Sequence, residues 1–396
     1  MTLKDILCSS KIEVVSTGKD VLGSLDFSVS DNTFCSSEVL EFVSELSDRL
    51  IANPLRNKDI CALGFFFRKA NVKAYLKKKA FNSSRHGMGL SFHIIPSNVP
   101  TVALYSALCA LVAGNRVVAR ISDRVSPVLD AQLEIVKDLL NTDRFKALSS
   151  SLIFIRYSHD SNITQSISSL ASSRVIWGGD KTVEAITSIK AKVGCRDVTF
   201  PNRHSACIVD LLRYKSLSEE EKQKFIESIE KDLSPFGSLA CASPTHIIFS
   251  GEDDKSVKED FYKRLSSKMP DDFLGYSFDR FTNAQLNSAK AIGPVEIYDY
   301  DRLTVLCCGL NEDTFSFNVG LGLLVEKRCD NLDELFSVND LYQTVVCDRG
   351  LKEELHSRLS KNDTGLKILR VEETGFALSF SWKQDRYELV EELSCD

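Results

Sequence analysis

L-S-F-H-I-I-P-S-N-V-P-T-V-A-L-Y-S-A-L-C-A-L-V-A-G-N-R-V-V-A-R-I, running from Leu90 to Ile121, is the stretch that decides the architecture. Leu90–Ile95 has the texture of a strand. Val99–Ala113 reads as an apolar helix stopped by Gly114-Asn115, and Val117–Ile121 reads as a strand again. Strand, helix and strand within about 30 residues make a βαβ unit, which joins parallel strands.

The rhythm continues downstream. Ser126-Pro127 opens a helix to about Leu140 as N-cap and first helical residue. Leu152–Ile155 is a strand, Asn162–Ala171 a helix and Arg174–Trp177 a strand. After Gly178-Gly179 a helix runs from Asp180 to Val193, and Val198–Phe200 and Cys207–Val209 are short strands. This pattern predicts an α/β fold: a parallel sheet with helices on both faces, whose ligands bind at the C-terminal strand ends. Upstream, residues 38–52 show helical spacing that ends before Pro54. Asn57–Phe81 reads as one further helix with a basic end, Lys77 to Lys79. Residues 1–37 carry no assignable role. A charged helix, Ser218–Asp232, leads into a second α/β segment. That segment holds a strand Thr245–Ser250, a helix Ser256–Met269, strands near Thr304–Cys308 and Thr344–Cys347, a helix Lys352–Ser360 and a strand Leu366–Leu369. The tail 376–396 is amphipathic.

At 396 residues the chain is long enough for two or three domains, each with its own core. A hydrophobic content of 43% with 26% charged residues is that of a globular protein rather than a disordered one. The net charge of −6 and the absence of a basic face make nucleic acid a poor partner. Twelve cysteines without CxxC or a repeating spacing disfavour a zinc site or a disulfide scaffold, and so no metal is expected. Thiols in that number suit a reducing cytoplasm, and the first ten residues do not read as a signal peptide. Val99–Ala113 is too short and too interrupted to span a membrane.

Five places can carry chemistry. F-G-S-L-A-C-A-S-P-T-H-I-I-F-S, Phe236 to Ser250, sets Cys241 among small residues at a turn that feeds a strand. A thiol there is either a reachable nucleophile or one more buried cysteine. Asn98, in P-S-N-V-P after a strand, either donates its amide to an oxyanion or caps the helix that follows. Gly178-Gly179 before a helix admits a pyrophosphate, although there is no GxGxxG and a simple turn capped by Asp180 is equally consistent. Arg120 ends a strand, where it meets a cofactor ribose or makes a surface ion pair. His204, in P-N-R-H-S, reads as an acid or base or as a structural histidine.

In order and spacing these pieces resemble the LuxC-type acyl-CoA reductases of the aldehyde dehydrogenase superfamily, over most of the chain from about Arg85 onward. The resemblance rests on H-I-I-P-S-N-V-P (His93–Pro100), V-V-A-R-I-S-D-R-V-S-P (Val117–Pro127), V-I-W-G-G-D (Val175–Asp180) and A-C-A-S-P (Ala240–Pro244). Y-Q-T-V (Tyr342–Val345), Trp382 and Tyr387 add to it. It implies an aldehyde-dehydrogenase-like fold: a Rossmann-type cofactor domain, an α/β catalytic domain and a small oligomerisation element. The expected division is an N-terminal helical segment 1–84, a nicotinamide-binding domain 85–232, a catalytic domain 233–375 and a tail 376–396 able to serve in oligomerisation. Carried over residue by residue, it implies Cys241 as the acyl-accepting nucleophile and Asn98, with the Cys241 N–H, as the oxyanion hole. Pro96, Gly178, Gly179 and Arg120 then lie by the cofactor, and His204 joins the catalytic set. The superfamily's usual lysine is Arg120 here. Arginine suits a phosphate, which favours NADPH, with NADH left open. No carboxylate follows Asp197 in D-V-T-F-P-N-R-H-S, where oxidising relatives have a deacylating glutamate.

The implied activity is reduction of an activated long-chain acyl group, from CoA or a carrier protein, to the aldehyde through a cysteine thioester. The implied partners are that acyl donor, an acyl-activating ligase and further copies of the chain. Two other readings stay open: a NAD(P)-dependent aldehyde-oxidising dehydrogenase, and a non-catalytic subunit that docks an acyl carrier or ligase.

Overall fold

The structure is a computed structural model that describes residues 2–17, 23, 27, 33–158, 161–338, 340–359 and 367–396. The chain divides into two compact units, Met1–Asn202 with Phe380–Asp396, and Arg203–Ser379. The break falls at 202/203, ahead of the 232/233 boundary expected from sequence. The segment between those points includes a strand, His204–Asp210, that pairs with two strands of the second sheet and is thereby built into that unit.

In the first unit the strands are β1 (Glu13–Val14), β2 (His86–Gly87), β3 (Leu90–Ile94), β4 (Arg116–Arg120), β5 (Leu152–Arg156), β6 (Ser173–Trp177) and β7 (Arg196–Phe200). All but β2 form one sheet in the order β1-β5-β4-β3-β6-β7, parallel from β5 to β7. Alternate side chains feed two cores. Val117, Ala119, Val175 and Val198 pack on one face with the helices Ser37–Ile51, Val102–Val112 and Pro127–Leu140. Phe92, Val118, Ile153 and Ile176 pack on the other. Ser126 caps the helix Pro127–Leu140 by accepting from Leu129 N, with proline at its start, as the sequence indicates. The single helix expected over Asn57–Phe81 is two helices, Lys58–Phe66 and Lys69–Lys79. Arg68 takes an extended ψ of 139° between them, and the chain turns so that Phe67 becomes fully buried.

The tail closes onto this unit. Ser394–Cys395 pairs with β2, Asn115 donates to Leu393 O at 2.7 Å, and Trp382 stacks on Tyr75 at 4.2 Å. Both tryptophans of the chain, Trp177 and Trp382, therefore belong to the first unit.

In the second unit β8 (His204–Asp210), β9 (His246–Ser250), β10 (Glu296–Asp299), β11 (Thr304–Cys307), β12 (Leu323–Cys329), β13 (Leu341–Cys347) and β14 (Lys367–Glu373) form one sheet. Its order is β10-β11-β12-β9-β8-β13-β14, and every pair is parallel except β10 with β11. The sequence assigned no element to 277–290, which is a helix, and none to β10 or β12. Leu366 and Ser360, the outer ends of two expected elements, lie outside the described residues. No helix among the described residues is long and apolar enough to cross a membrane.

Candidate active site

Five of the residues singled out in the sequence gather at one edge of the first sheet. Ile94, near the end of β3, pairs with Arg120 on one side and Ile176 on the other. Pro96 and Asn98 after β3, Arg120 at the end of β4, and Gly178-Gly179 after β6 thus share the C-terminal strand ends. The strand order reverses direction between β3 and β6, which makes the crevice between them the place where such sheets bind ligands.

Gly178 is bound through its N–H to Phe200 O at 3.2 Å, and a Cβ there would press on Thr182 at 3.0 Å. Gly179 is the N-cap of the helix Asp180–Thr187; no side chain caps that end, and open space lies beside Gly179. The Asp180 carboxylate accepts from Asn202 N at 3.1 Å. A helix start of this kind, with its partial positive charge, suits a phosphate group. The Arg120 guanidinium donates to Tyr157 O at 3.3 Å and lies over the Tyr157 ring. Asn98 is exposed. The helix begins only at Val102, with Thr101 as its N-cap, so Asn98 does not fill the capping position.

Asp197 is held in a structural pair. Its two oxygens take Arg174 Nε at 2.7 Å and Nη2 at 2.6 Å, while Arg174 Nη1 donates to the carbonyls of Ile186 and Ile189. The last carboxylate before His204 is thus spent on a buried arginine.

A polar chain runs under the strand ends. Ser173 donates to Ser91 at 2.9 Å, Ser91 Oγ lies 2.8 Å from His93 Nε2, and His93 Nδ1 lies 2.8 Å from Ser106 Oγ. Ser106 also accepts Trp177 Nε1–H at 3.0 Å. His93 is fully buried, and desolvation pulls its pKa down to about 3. The folded chain therefore resists protonation where the unfolded chain accepts it. Stability is full above the unfolded value near 6.5 and is lost as pH falls from there toward 3. From pH 6.5 to 5 the first unit should lose about 1.6 kcal/mol in all from this group, the slope steepening toward about 1.4 kcal/mol per pH unit. Urea midpoints followed by tryptophan fluorescence report it, and His93→Gln should flatten the slope.

In the second unit Cys241 sits in the turn between the short helix Pro235–Ser238 and β9. Three successive residues, Phe236, Gly237 and Ser238, have φ of 56°, 63° and 61°. Two of the three are not glycine, a strained arrangement that the surroundings must impose. They do so by backbone bonds: Leu321 N donates to Gly237 O at 2.7 Å, and Val325 N to Thr245 O at 2.9 Å. Gly320 packs so tightly here that a Cβ would lie 2.7 Å from Leu239. The result lifts Cys241 to the surface.

Exposure separates Cys241 from the other five cysteines of this unit. Cys207, Cys329 and Cys347 are buried, and Cys307 and Cys308 partly so. Burial pushes the thiols of Cys308 and Cys329 up to about 11 and that of Cys347 up to about 12, and raises Cys207 and Cys307 further. None of these five supplies thiolate at neutral pH.

His204 belongs to the same unit as Cys241, but its ring is 7% exposed and Nε2 donates to Phe315 O at 3.0 Å. It also sits edge-on to the buried His246, at 4.9 Å between centroids. Successive strand residues face opposite sides of a sheet. Along β8, Ala206 and Ile208 pack in one core, and Cys207 and Val209 in the other. His204 thereby faces the side opposite to Ser205. It is Ser205, a residue the sequence did not mark, that meets the Cys241 turn, donating to Cys241 O at 2.7 Å. Asn98, Pro96, Arg120 and the two glycines belong to the first unit, Cys241 and His204 to the second.

A family model described as acyl-CoA reductase (LuxC) matches residues 64–273. No curated protein sequence matches the chain. Among solved structures, the fold is similar to that of a P. syringae indole-3-acetaldehyde dehydrogenase mutant in complex with NAD+ and IAA. That likeness has a TM-score of 0.64 and 12% identity, over 90% of this chain and 82% of that one. The chain is likewise similar to a Thermus thermophilus 1-pyrroline-5-carboxylate dehydrogenase mutant (TM-score 0.62, 10% identity, 90% and 80% covered). An oxidoreductase from Marinobacter aquaeolei gives a TM-score of 0.63 at 12% identity, with 95% and 89% covered. At such identities these likenesses establish the aldehyde dehydrogenase fold.

Proposed function

Because the chain belongs to the acyl-CoA reductase (LuxC) family, we propose that this oxidoreductase reduces an activated acyl group to an aldehyde through a thioester on Cys241, using NADPH. The observation that carries the reading is the exposure of Cys241 on a strained turn, while burial silences the other cysteines of its unit.

The Cys241 thiolate attacks the carbonyl of an acyl thioester. A carbon–sulfur bond forms, the carrier's thiolate leaves and takes up a proton, and the acyl group remains on the enzyme. The Asn98 amide and the Cys241 N–H stabilise the oxyanion of the tetrahedral intermediate. A bound nicotinamide cofactor would supply the hydride that reduces the enzyme thioester to a thiohemiacetal anion. The thiohemiacetal carbon–sulfur bond then breaks, which releases aldehyde and restores the Cys241 thiolate. Gly178, Gly179 and the helix start at Asp180 are suited to hold the cofactor phosphates, as the open space beside Gly179 supports, with Pro96 lining the crevice. Arg120, at the adjoining strand end, would hold the adenosine ribose and its 2′-phosphate. His204 serves as a structural histidine.

The pairing of Asp197 with Arg174 argues against aldehyde oxidation. Hydrolysis of the acyl-enzyme needs a base for water, and that carboxylate is engaged. With NADPH and a panel of acyl-CoAs, absorbance at the reduced nicotinamide band should fall as aldehyde appears. NADP+-dependent oxidation of the same aldehyde to the acid, without acyl-CoA turnover, would overturn the assignment.

Asn98→Ala should lower kcat about 100- to 1000-fold, the usual effect of losing one oxyanion donor. Its melting temperature is measured in parallel with steady-state kinetics, so that a loss of fold is read apart from the loss of rate.

A further inference from the structure

Between β8 and β13 the register slips. Tyr342 pairs with His204, but Val345 pairs with Ala206, so β13 uses three steps where β8 uses two. This is a β-bulge, with an extra residue on β13 inside Tyr342-Gln343-Thr344-Val345. A bulge leaves backbone groups outside the ladder, and buried backbone groups must find partners. The Thr344 N–H finds the Ser205 side chain, with Oγ accepting at 3.1 Å. The same hydroxyl donates its proton to Cys241 O at 2.7 Å. Ser205 is completely buried. One hydroxyl therefore spends its proton and a lone pair on two backbone groups, one in the sheet and one at the nucleophile.

Rigid backbone bonds hold the turn on either side of the thiol, at Gly237 and at Thr245. At Cys241 itself the anchor is a side chain. Fixing the carbonyl of a residue fixes the plane of the peptide that follows and restrains that residue's ψ. With the turn already held on both sides, this limits where the Cys241 N–H and Sγ can point.

Resting on the reading of Cys241 as the acyl-accepting nucleophile, we propose that Ser205 is a positioning residue. It locks the Cys241 peptide onto the β13 bulge so that thiol and N–H are presented together to the incoming thioester. Ser205 touches neither substrate nor cofactor in this scheme and acts through Cys241 alone. The Y-Q-T-V stretch acquires a function as well: its bulge supplies the N–H that orients the Ser205 hydroxyl, so that the O–H points at the turn.

The experiment measures the rate of acyl-enzyme formation in the full-length protein, with palmitoyl-CoA and no nicotinamide, by intact mass against time. Wild type, Ser205→Ala, Ser205→Thr and Cys241→Ala are compared, with thermal denaturation of each. Ser205→Ala should acylate up to about 100-fold more slowly, the scale of loss that a displacement of about 1 Å produces. Its KM for palmitoyl-CoA should stay unchanged. Ser205→Thr retains the hydroxyl and should recover most of the rate, even where its added methyl lowers the melting temperature. Rescue by threonine distinguishes positioning from a merely structural role. Acylation of Ser205→Ala at the wild-type rate overturns the inference while leaving Cys241 as the nucleophile. A wild-type adduct that survives in Cys241→Ala overturns the nucleophile reading and this inference with it.

Discussion

Cys241→Ala should form no acyl adduct: after incubation with a long-chain acyl-CoA its intact mass stays that of the unmodified protein, and aldehyde release stops. The effect is expected to be complete because no other thiol of the second unit can substitute. Burial holds Cys308 and Cys329 near 11 and Cys347 near 12, with Cys207 and Cys307 raised further. A thiol with a pKa of 11 is about 0.01% ionised at pH 7, four units below it. Cys8 and Cys395 are exposed as well, so alkylation mapped to those positions serves as the control for reactivity unconnected with turnover. Cys307→Ser should leave the adduct in place. An acyl group that accumulates on another cysteine of the second unit while Cys241 stays unmodified would refute the assignment.

Asp340→Ala should destabilise the second unit by about 3–5 kcal/mol, the range for breaking a buried ion pair by removing one partner. The Lys327 side chain is 0% exposed in the middle of β12. Its ammonium meets Asp340 Oδ2 at 3.0 Å and Glu312 O at 2.8 Å. Removing the carboxylate leaves a buried positive charge with only a carbonyl. Lys327→Met should cost much less. Asp340 then keeps the Tyr342 hydroxyl at 3.1 Å and, at 12% side-chain exposure, some contact with water. The order is the test: urea unfolding followed by far-UV circular dichroism should rank Asp340→Ala well below Lys327→Met. Equal losses would show that the pair carries no more than packing. A fold-level consequence follows, since β12 lies beside β9, the strand into which the Cys241 turn runs.

β4, β5 and β6 of the first sheet were legible because each sends apolar side chains into both cores and the helices between them carry their own stop or start, whereas the two-residue β1 gave no such signal. Gly114-Asn115 ends one helix and Ser126-Pro127 begins the next. The site edge followed from the same reading: Asn98, Arg120 and Gly178-Gly179 all fall just where a strand ends. β12 was invisible for the opposite reason. Glu326, Lys327 and Arg328 interrupt its pattern, and partners distant in sequence, Lys258 for Glu326 and Asp340 for Lys327, make the burial of the first two tolerable. The helix Ser277–Lys290 is inverted in the same way. Arg280 and Asn287 are buried and bonded to carbonyls of the surrounding chain, while Phe278 and Phe281 are exposed. Apolar periodicity points to the wrong face of such a helix.

By itself the sequence determined the parallel α/β class, the aldehyde-dehydrogenase likeness and the small-residue turn that carries Cys241. These rest on short-range properties: side-chain period, glycine and proline stops, and residue size. The tertiary structure alone decided which cysteine is reachable, because exposure depends on chain brought in from elsewhere. It alone placed the unit break at 202/203, since β8 is claimed by whichever strands hydrogen-bond to it. It alone joined Ser205, Cys241 and Thr344, residues far apart in the chain, because the register slip between β8 and β13 exists only once the strands are paired.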